Sequence, residues 1–120
     1  MNTVLLADDS KFMRKWITSI LNESNQYTVI AEASCGAGAL NQYLQYLPDF
    51  VILDLNMGDL NGLDVLKEII QEDPKANVII CSSIGQDHTI NLAMTFGAKG
   101  YIIKPHFDSL IHTLNSIPVI

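Results

Sequence analysis

The chain alternates between short apolar runs and longer segments with helical periodicity. Five apolar runs, most of them rich in valine and isoleucine with little polar alternation, span residues 4–7, 27–33, 50–53, 78–81 and 101–103. Strands of a parallel sheet have this pattern because helices cover both of their faces. We therefore predict five short, buried, parallel strands.

Each run is followed by a segment whose apolar residues recur three and four positions apart, the spacing of one helix face. Ser10 precedes the first of these segments as its predicted N-cap, and Pro48 and Pro74 follow the second and third. We predict that the apolar stripes face the core. They comprise Phe12, Met13, Trp16, Ile17, Ile20 and Leu21; Leu40, Tyr43, Leu44 and Leu47; Leu63, Leu66, Ile69 and Ile70; Ile90, Ala93, Met94 and Ala98; and Phe107, Leu110, Ile111 and Leu114.

The alternation of strands and helices predicts an α/β fold, a doubly wound (βα)5 arrangement with helices on both faces of a five-stranded parallel sheet. The 120 residues are enough for one domain, which we place at residues 1–120. The carboxyl ends of parallel strands meet at one edge of such a sheet, where ligands bind. Functional residues are therefore expected directly after the strands.

The composition excludes several classes of protein. Seven basic residues against thirteen acidic ones give a net charge of −6, which leaves no basic surplus for generic nucleic-acid binding. With 48% hydrophobic and 17% charged residues, the chain is too apolar to be disordered. No apolar run approaches the roughly 18 residues of a membrane span, and no signal-peptide pattern opens the chain. Cys35 and Cys81 are too few for a disulfide framework, so we expect reduced thiols and a cytoplasmic protein without membrane insertion.

The residues that end the strands have complementary chemistry. Asp8 and Asp9 follow the first strand, Asp54 the third, Ser82 the fourth and Lys104 the fifth. Three carboxylates at one edge repel one another unless a cation lies between them, and carboxylate oxygens suit Mg²⁺. Lysine binds phosphate as a point charge, and a carboxylate flanked by a metal and a lysine can form an aspartyl phosphate.

Each of these residues, taken alone, has an ordinary structural interpretation. An aspartate after a strand often caps a turn, a lysine is usually a solvated charge, and a serine often satisfies nearby backbone groups. The functional interpretation therefore depends on four strand ends presenting matched groups at the same edge.

Five motifs, in order along nearly the whole chain, carry a resemblance to a known family. They are residues 7–10 (ADDS), 52–57 (ILDLNM), 62–63 (GL), 81–83 (CSS) and 97–105 (GAKGYIIKP). As a set they resemble the receiver domains of two-component response regulators, which have a flavodoxin-like fold. Residues 8–14 and 80–86 resemble the chemotaxis branch in particular, which comprises stand-alone CheY-type regulators and the receiver halves of chemotaxis methylesterases.

The resemblance implies a role for each carboxylate. Asp54 is the expected phosphoacceptor, taking a phosphoryl group from a phosphohistidine on a sensor histidine kinase. Asp9, Asp54 and the main-chain carbonyl of Asn56 are the expected Mg²⁺ ligands, and Asp8 is expected to act through a metal-bound water.

The resemblance also implies roles for the other strand-end residues. Lys104 and Ser82 are expected to hold phosphoryl oxygens, and Tyr101 is expected to move inward as Ser82 moves towards the phosphate. Asn56 and Ile84 occupy the two positions that tune dephosphorylation in the family. We therefore predict slow to moderate self-dephosphorylation, because Ile84 cannot hydrogen-bond an attacking water.

Three local features accompany the resemblance. The peptide bond between Lys104 and Pro105 is expected to be cis, as is usual in the family. Gly58 stands where the family usually has proline, which predicts a more mobile loop. His106 replaces a common apolar aromatic and is interpreted as a surface or capping residue.

The function that these expectations favour is a phosphorylation-controlled interaction module, not an enzyme that turns over an external substrate. Its predicted output surface comprises the fourth helix, fifth strand and fifth helix near Tyr101. The expected partners are the kinase and either a downstream protein or an attached output domain. The chain is expected to be a monomer or a phosphorylation-dependent dimer, with no direct nucleic-acid contact.

Other functions stay open at this point. The chain can be the N-terminal receiver of a longer regulator, such as a methylesterase. An aspartyl-phosphate phosphatase would share the strand order and the Mg²⁺ site, but its usual second aspartate is replaced here by Asn56, a poor proton donor. A flavodoxin-like cofactor binder would need a phosphate-cradling loop where Asp8 and Asp9 stand. A degenerate scaffold is disfavoured because Asp9, Asp54 and Lys104 are all present.

Overall fold

Five strands and five α-helices alternate along residues 1–119, the part of the chain that this computed structural model describes. Ile120, the last residue of the predicted domain, lies outside the described residues. In order, the elements are β1 (Asn2–Ala7), α1 (Lys11–Ser24), β2 (Tyr27–Ala33), α2 (Gly36–Tyr46), β3 (Phe50–Leu53), α3 (Gly62–Glu72), β4 (Val78–Ser82), α4 (Asp87–Thr95), β5 (Gly100–Ile103) and, after a 3-10 turn at Phe107–Ser109, α5 (Leu110–Asn115). Of the helices described, none is long and apolar enough to cross a membrane.

All strand pairs are parallel, and the strand order in the sheet is β2-β1-β3-β4-β5. The order reverses between β1 and β3, which makes the crevice above these two strands the expected ligand site. Ala7 lies opposite Leu53, so β1 and β3 end level with each other. The predicted doubly wound α/β fold is confirmed.

The core has two layers because successive side chains of a strand point to opposite faces of the sheet. On one face, strand residues pack with α2, α3 and α4; on the other, they pack with α1 and α5. The strand residues of the first layer include Leu5, Val51, Leu53, Val78 and Ile80. Those of the second include Val4, Leu6, Phe50, Ile52 and Ile79.

Hydrogen bonds fix the ends of the helices, and one of these helix caps was predicted from the sequence. Ser10 is the N-cap of α1, as predicted, and its hydroxyl accepts a hydrogen bond of 3.2 Å from the N–H of Met13. The Tyr43 hydroxyl of α2 donates a 2.6 Å hydrogen bond to Asp73, the C-cap of α3. Burial and this hydrogen bond to a carboxylate raise the pKa of Tyr43. The tyrosine thereby joins two neighbouring helices that cover the same face of the sheet.

Five stripe residues that we expected in the core are exposed instead. They are Phe12, Trp16, Leu44, Leu47 and Met94. A stripe of residues three and four apart covers a wide arc of the helix, and only the middle of that arc faces the sheet. Trp16 at the edge of this arc packs its ring on Phe107, with the ring centroids 4.9 Å apart. Leu47 lies beyond α2, as its C-cap, with a φ of 45°.

The two thiols are free, in agreement with the prediction of reduced cysteines. Cys81 is buried in β4, and burial raises its pKa to about 12. Cys35 is partly exposed and caps α2, where its sulfur accepts a 3.4 Å hydrogen bond from the N–H of Gly38.

Candidate functional site

The three predicted carboxylates meet above β1 and β3. Asp8 and Asp9 follow β1, and Asp54 follows β3, where its N–H donates a 2.8 Å hydrogen bond to the carbonyl of Ala7. This bond continues the sheet ladder one residue beyond the strands and fixes Asp54 beside Asp8. Oxygens of the three carboxylates all lie within 4.8 Å of one another, with Asp8 and Asp54 buried and Asp9 exposed.

The lysine predicted at the end of β5 reaches this cluster. The N–H of Lys104 donates a 2.8 Å hydrogen bond to the carbonyl of Ser82, which extends the ladder between β4 and β5. The Lys104 ammonium lies 2.5 Å from Asp8 Oδ2 and 3.3 Å from Asp54 Oδ2. Its peptide bond with Pro105 is cis, as the resemblance implied.

Burial and charge act in opposite directions on this lysine and its partners. Burial by itself lowers the pKa of Lys104, but the hydrogen bond to Asp8 and the charges of Asp54 and Asp8 outweigh it and raise the pKa. Burial is also the main influence on Asp54, whose pKa is raised although Lys104 and the N–H of Asn56 oppose the shift. The ammonium of Lys104 therefore does not fully compensate for the free-energy cost of burying Asp54 in its ionised form.

The donor set fits a hard divalent cation such as Mg²⁺, because the converging groups are carboxylate oxygens. Both oxygens of Asp8 already accept hydrogen bonds, Oδ1 from the N–H of Ser10 at 2.9 Å and Oδ2 from Lys104. Both oxygens of Asp54 are engaged in a similar way, Oδ1 by the N–H of Asn56 and Oδ2 by Lys104, each at 3.3 Å. Asp9, the exposed member of the cluster, is therefore the carboxylate most accessible to a metal. That Asp8 acts through a metal-bound water stays a prediction.

Arg14 is a residue of this region whose contacts were not predicted. Its guanidinium Nη1 donates to the carbonyl of Asp8, and its Nε forms a 2.9 Å ion pair with Glu32 of β2. Arg14 therefore fixes the turn between β1 and α1 from the α1 side. The sequence held no signal for this contact, because Glu32 lies 18 residues away in the chain.

A glycine allows α3 to start directly beside the residues that follow β3. A Cβ atom on Gly62 would lie 2.3 Å from the Cα of Leu55 and 2.8 Å from the carbonyl oxygen of Asp54. The motif that contains Gly62 contributed to the resemblance, and this close approach gives its physical reason.

Ser82 and Tyr101 both contact the main chain of Ile84. The buried Ser82 hydroxyl accepts a 3.1 Å hydrogen bond from the N–H of Ile84. The Tyr101 hydroxyl donates to the carbonyl of the same residue, and burial raises the pKa of Tyr101. The structure thus joins the predicted switch residues through one peptide segment, whereas their movement stays a prediction.

The two residues predicted to tune dephosphorylation face one hollow. Asn56 and Ile84 are both exposed and line it together with Asn61 and Thr89. The N–H of Asn56 also lies 3.3 Å from Asp54 Oδ1. His106, by contrast, is exposed at the start of the 3-10 turn, which agrees with its interpretation as a surface residue.

Comparison with known proteins identifies the family. The sequence pattern described as the response regulator receiver domain matches residues 4–115. The chain belongs to this family. The receiver domain is 38% identical to the chemotaxis protein CheY of Thermotoga maritima over 115 residues, which are 95% of each chain. The predicted family and its relation to CheY-type regulators are therefore confirmed.

Two further proteins are similar to this receiver domain. A solved CheX-CheY-BeF3-Mg²⁺ complex from Borrelia burgdorferi gives a TM-score of 0.91 at 30% identity, covering 96% of this chain and 87% of that chain. The protein-glutamate methylesterase/protein-glutamine glutaminase of Geobacillus kaustophilus is 40% identical over 104 residues, which are 85% of this chain and 30% of that protein. The likeness thus extends to a chain of similar length and to a much longer protein.

The raised pKa of Asp54 predicts that Asp54→Asn stabilises the metal-free receiver domain. A carboxyl with a raised pKa in the folded state favours folding when protonated, and this contribution is lost as the pH rises through the folded pKa. At pH 8 in a chelating buffer, Asp54→Asn should unfold at a higher urea concentration than the parent. The difference should shrink as the pH falls towards the pKa of Asp54.

Glu68→Gln is the matched control, because it removes one negative charge from an exposed position on α3. We expect it to leave the urea midpoint nearly unchanged. A parent more stable than Asp54→Asn at pH 8, or a difference that grows on acidification, would contradict the assigned electrostatics.

Proposed function

We propose that this receiver domain accepts a phosphoryl group on Asp54 from the phosphohistidine of a sensor histidine kinase. The observation that carries the proposal is the Lys104 ammonium, 3.3 Å from Asp54, within a cluster of three carboxylates. In the reaction, an Asp54 oxygen forms a bond to phosphorus as the phosphorus–nitrogen bond breaks. The electron pair of that bond stays with the imidazole of the kinase.

The residues around Asp54 have distinct tasks in this reaction. Lys104 holds a phosphoryl oxygen and offsets its charge, as its ammonium now offsets the carboxylates of Asp8 and Asp54. Asp9, Asp54 and the carbonyl of Asn56 would hold Mg²⁺ directly, and Asp8 through water. When bound, Mg²⁺ supplies positive charge that neutralises the phosphoryl oxygens and the clustered carboxylates. The Mg²⁺ and BeF3 of the similar Borrelia burgdorferi complex support this assignment.

Phosphorylation would change the interaction surface through Ser82 and Tyr101. The Ser82 oxygen is already an acceptor for the N–H of Ile84, so its own proton is available to a phosphoryl oxygen. Movement of Ser82 would displace the segment to which the Tyr101 hydroxyl is bound. A few kcal/mol between the two arrangements is enough for such a switch.

The output surface would comprise α4, β5 and α5 next to this segment. Ile84, Met94 and Ile103 are exposed apolar residues in this region and suit a protein partner. The likeness to CheY supports a downstream protein in chemotaxis-type signalling, and the likeness to the methylesterase supports an attached output domain as the alternative. We further propose that the module is cytoplasmic and that it turns over no external substrate. The absence of turnover is expected because Asn56 replaces the general acid that a related phosphatase would need.

A small-molecule phosphodonor tests the phosphoacceptor assignment without knowledge of the kinase. Incubation with acetyl phosphate and Mg²⁺ should add one phosphoryl group to the parent, detected by intact mass. Asp54→Asn should gain none, because its side chain has no nucleophilic carboxylate. Asp87→Asn is the matched control, since Asp87 is an exposed aspartate in the first turn of α4. A parent without an adduct, or an equal adduct on Asp54→Asn, would overturn the proposal.

The side chain of residue 84 should set the lifetime of the phosphoryl group. Ile84 lines the same hollow as Asn56, and its apolar side chain cannot orient water. Ile84→Glu supplies an acceptor for an attacking water, so phosphate release from the purified phosphoprotein should be several-fold faster. Ile84→Met keeps an apolar side chain and should release phosphate at nearly the parental rate. Equal rates for Ile84→Glu and the parent would remove Ile84 from this role.

A further inference from the structure

The segment between β3 and α3 is closed at its base and bound to a neighbouring helix at its tip. At the base, the N–H of Gly62 donates a 3.0 Å hydrogen bond to the carbonyl of Leu55, and Asn56 pairs with Asn61. This segment contains Asn56, whose carbonyl is a proposed metal ligand. We call residues 55–61 the acceptor loop.

The tip of the acceptor loop is bound to the N-terminus of α2 by Asp59. Its Oδ1 accepts a 2.8 Å hydrogen bond from the N–H of Gly36, and its Oδ2 accepts a 3.2 Å hydrogen bond from the N–H of Ala37. These two backbone hydrogen bonds lower the pKa of Asp59, so the carboxylate is ionised at neutral pH. The Asp59 side chain thus joins the acceptor loop to α2 residues that lie 22 and 23 positions earlier in the chain.

Helix α2 needs this bridge because its own sequence caps it poorly. Its N-cap is Cys35, a weak acceptor that reaches the N–H of Gly38 at 3.4 Å. The first turn of α2 has no acidic residue and contains glycines at positions 36 and 38. Asp59 therefore supplies from another element the acceptor and negative charge that usually come from the helix itself.

Two features of the acceptor loop direct Asp59 towards α2. Gly58 has a φ of +87°, a value that proline cannot adopt because its ring fixes φ near −65°. Leu60 packs on Gly36, where an added Cβ would lie 2.9 Å from the Leu60 Cβ. The glycine that replaces the family's usual proline thus permits a loop conformation that brings the carboxylate of Asp59 to the helix.

We infer that Asp59 is a positioning residue that couples the N-terminus of α2 to metal binding at the phosphorylation site. The inference rests on the proposed function, because Asn56 in the same loop is taken as a metal ligand. Asp59 limits the freedom of the acceptor loop, so less conformational entropy is lost when the carbonyl of Asn56 meets Mg²⁺. Coupling between two sites is reciprocal, so Mg²⁺ must strengthen the bridge by the factor by which the bridge strengthens Mg²⁺ binding.

Calorimetric titration of the full chain with MgCl2 tests the first half of this coupling. Asp59→Ala should bind Mg²⁺ about fivefold more weakly than the parent, the lower end of typical coupling between sites. Glu68→Ala removes the same charge from an exposed position on α3 and should bind like the parent. Asp59→Asn keeps one acceptor oxygen for an α2 N–H and should fall between the two.

Amide hydrogen exchange tests the reciprocal half and the folding of the variants. In the parent, Mg²⁺ should slow exchange at the amides of Gly36 and Ala37; in Asp59→Ala these amides should exchange fast with or without Mg²⁺. Unchanged exchange in β1 and β3 would show that the variant is folded. Equal Mg²⁺ affinity of Asp59→Ala and Glu68→Ala would overturn this inference but leave the proposed function standing. A parent that binds no Mg²⁺ would overturn both.

Discussion

The contact of the Lys104 ammonium with Asp8 and Asp54 is the interaction on which the site depends. Three carboxylates with oxygens inside 4.8 Å cannot all stay ionised at low cost when two of them are buried. Lys104 offsets part of the repulsion and is itself kept charged by Asp8 and Asp54. The remaining negative charge favours a divalent cation at this position, and a bound cation would in turn offset the negative charge of a phosphoryl group on Asp54.

The parallel sheet is what brings these groups together. β1 and β3 end level, and ladder hydrogen bonds that continue past β1, β3 and β5 fix Asp8, Asp54 and Lys104, the first residues after these strands. Asp54 and Lys104 therefore follow their strands directly, and the sheet itself positions their side chains. Two shorter links connect the site with its surroundings: Ile84 joins Ser82 to Tyr101, and Asp59 joins the acceptor loop to α2.

The sequence predicted the strands and the strand-end chemistry well because both follow from short-range pattern. Buried strands are continuous apolar runs, and Asp8, Asp54 and Lys104 stand at fixed positions relative to them. It predicted helix exposure less well: Phe12 and Trp16 have the spacing of core residues, yet the sheet covers only part of the arc they occupy. Such coverage depends on neighbouring elements and not on spacing within one helix.

For the same reason, contacts between distant segments could not be predicted from the sequence. Arg14 with Glu32, and Asp59 with Gly36, join residues about twenty positions apart through orientations that only the packed helices define. Gly58 departs from the proline that is usual in the family, and this departure by itself predicts a more mobile loop. Its φ of +87° gives that glycine a specific backbone role, and the hydrogen bonds of Asp59 hold the loop that contains it.

The most direct measurement of the central claim is thermal unfolding of the metal-free chain with and without Mg²⁺ at constant ionic strength. If the cluster of Asp8, Asp9 and Asp54 holds the cation, Mg²⁺ at one hundred times its dissociation constant should add about 2.7 kcal/mol to the free energy of unfolding. Asp9→Asn should lose most of this increment, and Glu68→Gln should keep it. An unfolding temperature that Mg²⁺ does not change, or an undiminished increment in Asp9→Asn, would contradict the account.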